Sequence, residues 1–95
     1  MIKRSANGRV TFALPSKHVG PGVSVVGDFN NWDPWTHPLK RRSNGTHSVV
    51  IDLRNGGAHQ YRFRYLDTNG RFFDDDDADL IEPNGLGDTH SVLSV

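Results

Sequence analysis

The chain's only two tryptophans, Trp32 and Trp35, both stand in the stretch GDFNNWDPW, residues 27–35. A stiff indole among turn-formers either plugs a core from a loop or faces outward to hold something. Sugar rings suit the second role. Their C–H faces stack on flat aromatics, and their rim hydroxyls take planar donors and acceptors such as Arg, Asn, Asp and His. For either tryptophan alone the residue types leave core plug and ligand platform equally open. Phe72 and Phe73 lie near turns as well, and Arg62 and Arg64 stand two residues apart in HQYRFRYLD, residues 59–67.

Other chemistries find less support. The acidic run DDDDAD, Asp74 to Asp79, suggests a calcium loop, and a register beginning at Asp75 supplies Asp77 and Asp79. Leu80 then takes the glycine position and Leu86 the glutamate position, so the motif fails. Glycoside hydrolysis needs two carboxylates held apart across a cleft, one with a raised pKa, and adjacent loop aspartates point in different directions. The histidines, His18, His37, His47, His59 and His90, have no zinc-ligand spacing. No serine sits in G-x-S-x-G and no glycine-rich phosphate loop occurs, so neither a hydrolase elbow nor a nucleotide cofactor is signalled. LKRRS, residues 39–43, together with RFR suggests nucleic acid on a sheet. However, the aromatics of YRFRY face away from its arginines, and eleven basic residues balance eleven acidic ones. A non-enzymatic protein without cofactor or metal is expected, with neither nucleic acid nor membrane as a partner.

The elements that would position these residues read as short strands. VTFALP alternates Val10, Phe12 and Leu14 to one side. VSVVGDF is a second apolar stretch, ended by Gly27. THSVVIDL sets Val49, Ile51 and Leu53 against Ser48, Val50 and Asp52. AHQYRFRYLD sets Tyr61, Phe63 and Tyr65 against Gln60, Arg62 and Arg64, and SVLSV closes the chain. Turn residues in SNG, NGG, DTNG and PNGLG separate them, and no helical periodicity appears. The pattern predicts an all-β, immunoglobulin-like β-sandwich or a small barrel. One domain spans residues 1–95, with its core over about 9–95. Parity puts Arg62 and Arg64 on the outward sheet face as a flat, donor-rich patch. The absence of cysteine fits a reducing cytoplasm. The basic N-terminus has no apolar run behind it, and no stretch approaches membrane-spanning length, so a soluble intracellular protein is expected.

VSVVGDFNNW, HPLKRRSNGTHSVVIDL, HQYRFRYLD and EPNGLGDTHSVLSV together resemble the family 48 carbohydrate-binding module. This is the isoamylase N-terminal or early-set domain of glycogen branching and debranching enzymes and of the AMP-activated protein kinase β subunit. The resemblance runs from about Val10 to Val95 and implies an immunoglobulin-like sandwich that binds α-1,4-linked glucans without catalysis. It implies that Trp32 is the main sugar platform and Leu86 the apolar wedge. Arg62 stands where the family has lysine, and Phe72, or alternatively Phe73, where it has a second stacking tryptophan. Asp88 and His90 replace a threonine and an asparagine that hydrogen-bond hydroxyls. Trp35 has no clear counterpart and is read as a rim contact or lid. Asp75–Asp76 stand where many members carry Asp-Pro, which makes the acidic run a family loop. The resemblance also implies an alternative: a scaffold or protein-interaction domain partnering a separate glycan-active enzyme.

Overall fold

The computed structural model describes residues 2–5, 8–19, 22–53 and 60–94. Among the described residues, alternating β-branched and aromatic positions form nine strands, and there is no α-helix. In chain order the strands are β1 (Ile2–Arg4), β2 (Arg9–Pro15), β3 (Val23–Gly27), β4 (Lys40–Arg41), β5 (Thr46–Asp52), β6 (Gln60–Asp67), β7 (Phe72–Phe73), β8 (Leu80–Pro83) and β9 (Thr89–Ser94). The expected NGG turn, the Ala58–His59 start of the fourth expected strand and Val95 lie outside the described residues.

Two antiparallel sheets make a sandwich. One runs β1-β2-β5-β4; the other runs β3-β6-β9-β8, with β7 also on β6. One edge of β6 pairs with β3. The other is shared, β9 taking Gln60–Phe63 and β7 taking Tyr65–Leu66. No helix of the described residues is long and apolar enough to cross a membrane.

The inward sets are those that alternation selects. Val10 and Phe12 of β2 and Ile51 of β5 meet Val23 and Val25 of β3, Tyr61, Phe63 and Tyr65 of β6, and Leu93 of β9. Phe12 stands edge-on to Phe63 at 5.1 Å between ring centroids, a favoured aromatic geometry. A one-residue slip would turn this whole set to solvent, so burial also fixes the register.

The outward face of the second sheet departs from expectation. Cross-strand register sets Val26 beside Arg64 and Val92 beside Arg62. Both valines are buried yet lie outside the core cluster. Long arginine stems cover such apolar surface while their heads reach polar partners. Arg64 itself is buried rather than presented on an open polar patch.

Candidate functional site

GDFNNW assembles one side of the site, and nearly every residue has a fixed task. Gly27 brings the end of β3 against β6: a Cβ there would lie 2.4 Å from the Arg62 carbonyl oxygen and 2.9 Å from the Phe63 Cβ. Asp28 Oδ2 accepts the Arg62 backbone N–H at 2.9 Å, tying the loop to the same strand. Phe29 turns inward between Phe12 and Tyr61. The Asn30 amide accepts from the Gly27 N–H at 3.0 Å and donates to the Val25 carbonyl at 3.1 Å. Its nitrogen also lies 2.9 Å from His37 Nδ1. Burial holds the His37 imidazole below its usual pKa, so the neutral ring accepts that hydrogen bond.

Pinned at both ends, the chain then makes two successive left-handed residues, Asn31 at φ 56° and Trp32 at φ 59°. Asparagine tolerates this region, whereas a bulky aromatic there is strained and persists only because its surroundings over-determine it. The result puts the indole outside. Trp32 is 38% exposed and takes no part in the core cluster.

The opposing wall comes from β7. Phe73 turns inward onto Tyr65, with ring centroids 5.3 Å apart, while Phe72 turns outward and is 49% exposed. Of the two phenylalanines, Phe72 therefore shares the face of Trp32. Between them lies Arg64, its guanidinium carbon 5.2 Å from the centre of the Phe72 ring. Arg64 Nη1 donates to Asp88 Oδ2 at 3.1 Å, and its Nε lies 3.6 Å from Asp74 Oδ1. The third wall is the loop between β8 and β9. Asn84 Oδ1 accepts the Leu86 N–H at 2.8 Å, and Gly85 and Gly87 take φ of 81° and 87°. Held between these glycines, Leu86 projects outward, 88% exposed.

Trp32, Arg64, Phe72, Asn84, Leu86 and His90 line one open groove of ≈ 390 Å³. That size suits a small ligand, and flat faces with planar donors among them suit a neutral polyhydroxy one. Asp88 joins through Arg64, and its carboxyl is held below the usual range by the Thr89 backbone N–H and by Arg64.

Three expected site residues are absent from the groove's lining: Asp88, beside it on Arg64, and two that stand elsewhere. Arg62 shares the outward face of β6 but lies outside the groove's lining, because its Nε donates to Glu82 Oε1 at 2.7 Å. His90 Nε2 holds the same oxygen at 2.7 Å, so Arg62 reaches the groove only through Glu82 and His90. These two hydrogen bonds hold the Glu82 carboxyl below its usual pKa. Trp35 lines a different groove, beside Pro34 and Leu66. The residues that sequence reasoning left out are Arg64 and Asn84. Parity had marked Arg64 as outward-facing, but nothing in the sequence singled it out from Arg62.

The acidic run has intrachain partners. Asp74 accepts from Thr89 Oγ1 and Ser91 Oγ, buried Asp75 accepts the Tyr65 phenol, and Asp79 takes Arg4 and the Ser94 N–H. Burial and the Asp75 carboxylate push the Tyr65 phenol far above its usual pKa, so it stays a donor. The described residues contain no group of three His, Asp or Glu side chains placed to hold a metal ion.

The family model for carbohydrate-binding module 48 (isoamylase N-terminal domain) matches residues 2–85. Leu86, Asp88 and His90 follow the matched span. The 1,4-alpha-glucan branching enzyme of Xanthomonas campestris pv. campestris (strain 8004) is 39% identical over 62 residues, which are 65% of this chain and 8% of that enzyme. That of Corynebacterium jeikeium (strain K411) is 39% identical over 80 residues, 81% of this chain and 11% of the enzyme. That of Synechococcus elongatus (strain ATCC 33912 / PCC 7942 / FACHB-805) is 44% identical over 46 residues, 47% of this chain and 6% of the enzyme. The chain thus spans about a tenth or less of these relatives' length.

Proposed function

The chain belongs to the carbohydrate-binding module 48 (isoamylase N-terminal domain) family, and on that premise we propose that it binds α-1,4-linked glucan without transforming it. The observation that carries this reading is the pair of half-exposed aromatics, Trp32 and Phe72, facing one groove across Arg64. Trp32 is the main stacking platform and Phe72 a smaller second one. Leu86 reaches over the groove as an apolar wedge. Arg64 and His90 present planar nitrogen donors, and Asp88 an acceptor, to sugar hydroxyls. Arg62 acts as a positioning residue, fixing His90 through Glu82.

The electrostatics favour binding over catalysis. A glycosidic general acid requires a carboxyl whose pKa is raised toward neutrality. Beside this groove, Asp88 and Glu82 are both shifted the other way by the donors they accept from. Both are ionised at neutral pH and serve as acceptors.

The test is a tryptophan-fluorescence titration with maltoheptaose and with glycogen. Both should perturb the wild-type emission, and Trp32→Ala should abolish binding while the circular dichroism of the sandwich persists. If neither glucan shifts fluorescence or NMR signals at millimolar concentration, the glucan reading fails.

A further inference from the structure

We propose that the groove beside Trp35 is a second saccharide subsite, receiving the same glucan chain where it runs past the Trp32 groove. The proposal rests on the glucan reading above and adds a dependence on chain length. Trp35 is 87% exposed, far more than Trp32. Its backbone is nevertheless firmly held. Its N–H donates to Asp33 Oδ1 at 2.9 Å, Pro34 precedes it, and the chain beyond returns to β3 through Val25 N–H to His37 O at 3.1 Å and Leu39 N–H to Val23 O at 2.9 Å. A large aromatic kept in water on an anchored turn is preorganised for a partner and loses little conformational freedom on meeting one.

The groove it lines, ≈ 450 Å³, mixes the apolar surfaces of Pro34 and Leu66 with the hydroxyls of Ser24 and Thr68. Among the described residues no cationic side chain lines it, and the carboxylate there, Asp67, accepts the Asn69 and Arg71 N–H groups at its Oδ1, at 2.9 Å each. A flat aromatic with neutral hydroxyls, a carboxylate and no cation selects an uncharged sugar over an anionic ligand.

Strand register joins the two grooves. Arg64, in the first, and Leu66, in the second, alternate on the outward face of β6, about 7 Å apart along the strand. Ser24, Leu66 and Phe72 form one row across β3, β6 and β7, so Phe72 of the first groove stands beside Leu66 of the second. A chain stacked on Trp32 and Phe72 therefore meets Trp35 by continuing over Leu66.

Calorimetric titrations of the wild type, Trp35→Ala and Trp35→Phe with maltotriose and maltoheptaose test this. The ratio of maltoheptaose to maltotriose affinity should fall about tenfold in Trp35→Ala, and by less in Trp35→Phe, which keeps a smaller stacking face. Melting temperatures should stay close to wild type, because the side chain is almost fully exposed. A ratio that Trp35→Ala leaves unchanged overturns the second subsite while the glucan reading stands. A wild type that binds neither sugar overturns both.

Discussion

Replacing Trp32 with glycine should give a more stable protein than replacing it with alanine, the reverse of the order at an ordinary position. Both substitutions remove the same indole. Trp→Ala in a core costs about 3–5 kcal/mol, and Trp32, 38% exposed and outside the core cluster, should cost about 2–3. What separates the two variants is the backbone. At φ 59° an L-residue carries about 1–2 kcal/mol of left-handed strain that glycine does not feel. Glycine's extra freedom in the unfolded chain takes back about 0.5–1 kcal/mol. The balance favours glycine by about 0–1.5 kcal/mol, and a domain of this size turns the midpoint, about 0.75 kcal/mol, into a melting temperature about 3–6 °C higher. Thermal melts of Trp32→Ala and Trp32→Gly, followed by circular dichroism in one buffer, read the difference directly. An alanine variant more stable than the glycine variant would show that Trp32 is not left-handed in solution. A loss above about 5 kcal/mol in both would mean that Trp32 is core after all.

Two further substitutions probe how the loop is held. Gly27→Ala drives a Cβ to 2.4 Å from the Arg62 carbonyl oxygen, a backbone atom that cannot swing aside, and should cost about 3 kcal/mol in urea unfolding. A cost below about 1 kcal/mol would mean that β3 and β6 separate easily there. His37 supplies a pH dependence. Burial depresses its folded pKa below the ordinary 6.5, so below that pH the unfolded chain binds more protons than the folded one. Stability present above pH 6.5 is therefore lost as the pH falls toward the folded pKa. His37→Asn keeps an acceptor for Asn30 without titrating, and its melting temperature should fall less than the wild type's between about pH 7 and pH 5.5. Equal falls in the two proteins would remove His37 from the account.

Legibility followed the range of the interaction. Tyr61, Phe63 and Tyr65 alternate over one strand, so their burial could be read from parity, as could those of Val10 with Phe12 and of Ile51 with Leu53. The shorter β4 and β7 have two residues each and β8 four, too few for a period to show. Arg62 and Arg64 have the same parity and the same type. Glu82, twenty residues downstream, takes the first, and Phe72 with Asp88 takes the second. Only the assembled sheet makes that choice. The left-handed pair was hidden for a related reason. Asn31 is an ordinary left-handed residue, but Trp32 adopts that conformation against its own preference, its N–H donating to the Gly27 carbonyl at 2.9 Å while Asn30 holds the Gly27 N–H.

The sharing of one edge of β6 between β9 and β7 has a consequence for how such a domain can diversify. Trp32 hangs from β3, Phe72 lies on β7 and Leu86 precedes β9, and each of these strands makes its own ladder with β6, β3 along one edge and β9 and β7 on separate stretches of the other. The three contact segments are therefore separately mounted on a common strip. Any one can be lengthened, shortened or rewritten while the hydrogen-bond ladders that hold the other two stay in place. Most of the chain builds the mount, and a handful of loop positions decides what it holds.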